Sequence, residues 1–128
     1  MPFIAMPLGN AVERSALPNG NYLVRIEDAI LVDAKEKPGQ INTRIRLSVP
    51  DHPEAKPIFH YLVGFGPEDD EDKQQIKINQ ATAFMKALNV PYSDDGFELE
   101  DLFGCEGYVN LRQDDFEGRI GNKLSLDW

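Results

Sequence analysis

Three cations, Arg112, Arg119 and Lys123, lie on two alternating runs joined by the turn QDDFEG, within VNLRQDDFEGRIGNKLSL. Two more, Arg44 and Arg46, alternate with Ile45 and Leu47 in INTRIRLSV. Cations spaced two apart on a strand share one face, where they can neutralise a chain of phosphates. His60 or Tyr61, in IFHYLVGF, and Phe116 at the hairpin turn offer rings on which bases stack whatever their identity. Lys35 and Lys37, in KEKPGQ, add charge on a neighbouring loop. Together these are the groups that non-specific binding of a single strand requires.

Signals for catalysis are thin, and the chain is read as a non-enzyme without cofactor. GFG, Gly64 to Gly66, runs into Pro67, Glu68 and Asp69, which is neither a dinucleotide fingerprint nor a P-loop. Cys105 has no motif that places it with His52 or His60, and reads as a small buried hydrophobe. His52 near Asp51 and Glu54 lacks the three or four convergent ligands of a metal site. Asp114 and Asp115 are turn neighbours that point apart, so neither should have the shifted pKa of a general acid or base.

Charge qualifies the binding reading. The net charge of −9 opposes indiscriminate attraction to phosphate polymers or anionic lipid. Thirteen of the 22 acids, however, fall in three short segments: residues 68–72 (EDDED), residues 94–101 (DDGFELED), and Asp114, Asp115 and Glu117. The remaining 9 acids face 13 Lys and Arg, so a basic face can coexist with an acidic one. A single cysteine excludes an internal disulfide, and no run of about 18 apolar residues is present to span a membrane. A cytoplasmic location, that of the host cell if the chain is phage-encoded, is expected.

The elements that must position these residues follow from periodicity. Residues 1–20, with three prolines and PNG, read as a flexible arm ending in a turn; residues 21–128 form one domain. Tyr22, Val24 and Ile26 start a first strand whose phase shifts near Asp28 and Ala29, as at a bulge. Ile41, Thr43, Ile45, Leu47 and Val49 face inward on a second. The third, IFHYLVGF, is apolar on both sides, and the shared phase of Phe59, Tyr61, Val63 and Phe65 favours core for Phe59 and Tyr61. Ile78, Ala81, Phe84, Met85 and Leu88 make a helix over residues 73–88, stopped by Asn89 and Pro91. Leu99, Leu102 and Phe103 tuck in a short helical turn, and a terminal hairpin buries Val109, Leu111, Ile120, Leu124 and Leu126. Strand, strand, strand, helix, strand, strand predicts a mainly β protein: a five-stranded OB-fold-like Greek-key barrel with its helix between strands three and four. A sandwich with an accessory helix is the alternative.

Over residues 17–128 the sequence resembles small bacteriophage proteins of replication and recombination gene clusters, some of them single-stranded DNA-binding proteins with an OB fold. The resemblance rests on the turn Pro18, Gly20, Tyr22, on ATAFMKALNV, and on the stretch from Gly104 to Val109 with its return Gly118 to Asn122. It implies the OB fold and single-stranded DNA as ligand, with replication or recombination proteins recruited through the acidic loops.

On an OB barrel the ligand lies across strands two and three, between the loop joining strands one and two and the loop joining strands four and five. The candidate nucleic-acid residues are therefore Lys35, Lys37, Arg44, Arg46, His60, Tyr61, Arg112, Phe116, Arg119 and Lys123. The rival expectation is an acidic protein-interaction module, a virion or accessory subunit or nucleic-acid mimic without DNA binding. No membrane partner is expected, and self-association into a homo-oligomer is left open.

Overall fold

The computed structural model describes residues 2–11 and 15–126, and of Phe116 the backbone alone. Five antiparallel strands, β1 (Gly20–Asp33), β2 (Ile41–Ser48), β3 (Ile58–Leu62), β4 (Glu106–Phe116) and β5 (Arg119–Ser125), form one sheet in the order β3-β2-β1-β4-β5. The helix α1 (Glu71–Ala87) lies between β3 and β4. The sheet curls until its edges β3 and β5 meet, a nearly closed barrel consistent with an OB-like fold.

β1 makes the closure feasible. Its first half, Gly20 to Arg25, pairs with β4, and its second half, Arg25 to Asp33, pairs with β2. The register slips between Ile26 and Asp28, so the bulge expected near Asp28 falls at Glu27. A bulge bends and twists a strand, which lets one strand serve both halves of the barrel.

The core is the inner face of the strands capped by α1. Val24, Ile26, Ala29, Ile45, Leu47, Ile58, Leu62, Val109 and Leu111 are buried against Phe84, Met85 and Leu88 of the helix and against Leu102. Four expected core positions are open instead. Ile41 and Ile120 lie at strand ends that project past the barrel, Ile78 faces away from it on α1, and Phe103 follows a 3-10 turn (Leu99–Leu102) whose Leu102 takes the buried place.

The last three acids of the EDDED run form the start of α1. Asp70 is the N-cap, its carboxylate accepting from the Lys73 N–H at 2.8 Å, and Glu71 and Asp72 sit in the first turn where the helix dipole favours anions. Asn89, with φ of 57°, ends the helix and donates to the Glu106 carbonyl. The helix end rests on β4 so closely that a Cβ on Gly107 would stand 1.9 Å from the Ala87 carbonyl oxygen.

The last part of the arm expected over residues 1–20 is anchored. Ser15 bridges Ala55, Leu17 is buried, and Asn122 and Gln113 bond to the Leu17 backbone. Among the described residues no helix is long and apolar enough to cross a membrane.

Candidate nucleic-acid interface

Strand alternation sorts β2 and β3 into two faces. Ile58 and Leu62 must face the core, so His60, which shares their parity, goes inward and Phe59 and Tyr61 go outward. Phe59 and Tyr61 are half-exposed, at 50 % and 49 %, which corrects their expected place in the core. The apolar run does not distinguish the two phases, because both faces of β3 are rich in apolar groups. His60 is correspondingly removed from the binding face: its ring stacks on Phe84 at 4.8 Å between centroids and 5° between planes. Burial pushes its pKa down to about 4.

The outward residues form a compact array. Arg44 stands opposite Tyr61 and Arg46 opposite Phe59 in the ladder, and the Arg44 guanidinium lies 6.0 Å from the Phe59 ring centroid. That distance is within cation–π range, so the ring holds the cation over its face. Neither β2 (INTRIRLS) nor β3 (IFHYL) contains an acid. The nearest strand acid in register is Asp28 of β1, opposite Arg46, and its carboxylate accepts from the Ala29 N–H. The three acid runs fall on the β3–α1 connection and the start of α1, on the connection into β4, and on the end of β4 with the hairpin turn, outside β2 and β3.

The hairpin cations join this array across the barrel seam. Lys56, just before β3, donates to the Ile120 carbonyl of β5 at 2.9 Å. Leu124 and Leu126 share with His60 to Val63 a cleft of about 210 Å³. β3 and β5 therefore meet along the barrel seam. Lys123 pairs in turn with Arg112 on β4. Arg46 and Phe59 are thus paired on β2 and β3, and Lys123 and Arg112 are paired on β5 and β4 beyond the seam. Asp114 lies 3.7 Å from Lys123, a loose exposed pair that leaves the cation accessible.

The other candidates are dispersed. Arg119 is exposed near the hairpin tip, where its backbone pairs with that of Phe116; the Phe116 side chain lies outside the described residues. Lys35 and Lys37 are exposed on the loop between β1 and β2. Lys37 borders a cleft of about 430 Å³ between that loop, the β3–α1 connection and α1.

Two residues escaped sequence reasoning. Phe59 was assigned to the core on phase, as described. Lys77 closes the floor of the larger cleft, donating to the carboxylate of Asp69 at 2.5 Å, the Gly64 carbonyl at 2.9 Å and the Gln40 side-chain oxygen at 3.4 Å. The Lys77 ammonium and the Gly66 N–H hold the Asp69 carboxyl below its ordinary pKa. The signal lay in the helix itself: Lys77, Ala81, Phe84 and Leu88 follow one another at helical spacing, and the apolar stripe begins with a lysine. The ammonium is committed to this network, so Lys77 shapes the cleft rather than serving as a phosphate ligand.

Cys105 donates to the Asp101 carbonyl, and burial together with the Asp101 carboxylate pushes its thiol pKa up, the opposite of what a nucleophile needs. Among the described residues no three His, Cys, Asp or Glu side chains converge as metal ligands. Compared with models of known protein families and with curated proteins, the chain matches none.

Proposed function

We propose that this protein binds single-stranded DNA with little sequence preference, as the phage proteins its sequence resembles are expected to do, protecting or organising the strand in replication or recombination. The observation that carries the reading is the array of Arg44 and Arg46 beside Phe59 and Tyr61, half-exposed on two strands without a carboxylate. Guanidinium groups would contact phosphates, and the rings would stack bases; neither contact reads base identity. A path from these strands over the seam to Lys123 and Arg112 would lead the backbone across the strands rather than along them.

Polarisation titration of a labelled, unstructured oligonucleotide tests it. The native protein should bind at low salt. Arg44→Glu with Arg46→Glu should abolish binding, and Phe59→Ala or Tyr61→Ala should each weaken it by about 1 to 3 kcal/mol, roughly 5- to 150-fold. No binding at low salt sinks the proposal, as does binding that all of these variants retain.

A second reading draws on the net charge of −9 and on the exposed acids at the start of α1 and in residues 94–101. In it these acids dock a basic partner protein. It predicts no oligonucleotide binding, and a partner contact that survives the two arginine reversals.

A further inference from the structure

The smaller cleft opens at the barrel seam, with the array of cations and rings on β2 and β3 to one side and the pair Lys123 and Arg112 on β5 and β4 to the other. β3 supplies His60 and Leu62 to its lining, α1 supplies Gln80 and Ala81, and Leu124 and Leu126 close it at and just after β5. Leu62, Ala81, Leu124 and Leu126 make the lining largely apolar. Its volume of about 210 Å³ is below the roughly 300 to 1,000 Å³ of sites for drug-sized ligands, so its occupant is limited to about a single ring system.

Two polar side chains interrupt the apolar lining. Among the described residues, the Gln80 amide and the ring nitrogens of His60 make no hydrogen bond. Both residues are only partly buried, and among the described residues no buried side-chain nitrogen or oxygen lacks a partner. The polar atoms of Gln80 and His60 therefore reach solvent, and the opening these two residues share is this cleft. An amide and a neutral imidazole each present both a donor and an acceptor. Lys77 also borders the cleft, but its ammonium is already held by Asp69 and the Gly64 carbonyl.

We infer that this cleft is a base subsite, in which one nucleobase of a bound single strand is held against Gln80 and His60 while the phosphates to either side of it lie on Arg44 and Arg46 and on Lys123 and Arg112. Its occupant rests on the single-strand function proposed above. Two observations select a base. Cations stand on both sides of the seam, and Tyr61 belongs both to the array and to the wall of the cleft, so a polyanion that crosses the seam passes over the opening. The free donors and acceptors of Gln80 and His60 would be left unmet by an aliphatic occupant, at a cost in desolvation, whereas the edge of a base meets them. The amide can turn over and the imidazole can exchange tautomers, so the subsite holds a base without selecting its identity.

Proton NMR of the full chain with an unstructured oligothymidylate at low salt tests it, because the chain has two histidines. His52 packs edge-on against Tyr22 and bonds to Glu54, outside the cleft, and serves as the internal reference. The oligonucleotide should shift the His60 ring resonances, identified by their loss in His60→Phe, and leave those of His52 in place. Thymidine monophosphate at the same concentration of bases lacks the neighbouring phosphates and should shift neither. Gln80→Leu, which keeps the size of the side chain and removes the amide, should weaken oligonucleotide binding about 5-fold, the scale of one hydrogen bond, and should melt where the native protein does. Binding that leaves the His60 resonances unmoved, or that Gln80→Leu and His60→Phe both retain in full, overturns the inference and leaves the single-strand function standing. A mononucleotide that shifts His60 as far as the oligonucleotide overturns the strand as occupant. No oligonucleotide binding at low salt sinks the two together.

Discussion

At His60 a partly buried imidazole lies flat on Phe84 beside the smaller cleft and is held neutral by burial. Its folded pKa of about 4 is below the ordinary 6.5, so the unfolded chain takes up the proton more readily. The stabilisation is complete above pH 6.5 and declines as pH falls from 6.5 towards 4, by about 3 kcal/mol over the whole window. Urea midpoints measured at pH 7 and pH 4.5 should differ accordingly, and His60→Phe, which keeps the stack, should flatten the profile between them. A native profile that stays flat over that window would contradict the buried, neutral assignment. The same residue shows what was legible in the sequence at this scale. Arg44, Arg46, Arg112 and Lys123 were readable as outward, because apolar partners flank them on alternate positions. Phe59, His60 and Tyr61 were not, since ranking by hydrophobicity puts the rings inside, while the parity fixed by Ile58 and Leu62 puts the imidazole there.

Among the elements, α1 and β4 have the tightest contact. Gly107 is needed because its missing Cβ is where the Ala87 carbonyl lies, 1.9 Å from the ideal position. Gly107→Ala must lift the helix end off the sheet, and by analogy with other overpacked interiors should cost about 1 to 3 kcal/mol or more. Thermal unfolding should show a melting point lower by several degrees. Gly121→Ala, in mid-strand on β5 with no atom within 4 Å of the added methyl, is the control and should leave it nearly unchanged. Element order and type were legible because each strand keeps period two and the helix keeps its apolar stripe. Boundaries at α1 were less so. The acids that begin the helix look like a solvated run in sequence, and become capping groups only once the backbone amides are turned towards them.

For the whole molecule, the question is how a chain of −9 presents a cationic face. Partial segregation answers it, with acids concentrated at the helix start, on the connection into β4 and at the end of β4, and none on β2 or β3. If Arg44, Arg46, Arg112 and Lys123 each neutralise one phosphate, the log–log salt slope on a single strand should be roughly −3. Affinity would then fall about 50-fold between 50 mM and 200 mM salt. Replacing Lys123 by Gln should reduce the slope by about 0.7, while replacing Lys35, on the loop between β1 and β2, should change it less. A slope near zero in an otherwise binding protein would remove the phosphate role. The path over the seam was not readable beforehand. It depends on the approach of β3 and β5, a relation between strands some sixty residues apart that no local pattern encodes.

The division of β1 at Glu27 also bears on how the barrel assembles. The β1–β2 and β4–β5 hairpins each need only short-range pairing, whereas Gly20 must find Leu111 across most of the chain. Closing so long a loop before any contact rewards it is the slow step in β proteins. The two hairpins can form independently, but the barrel exists only when the first half of β1 is captured by β4. Until then Ala87 has no strand to rest on, and the β3–β5 seam, which has no ladder among the described residues, depends on the other pairings to bring its edges together.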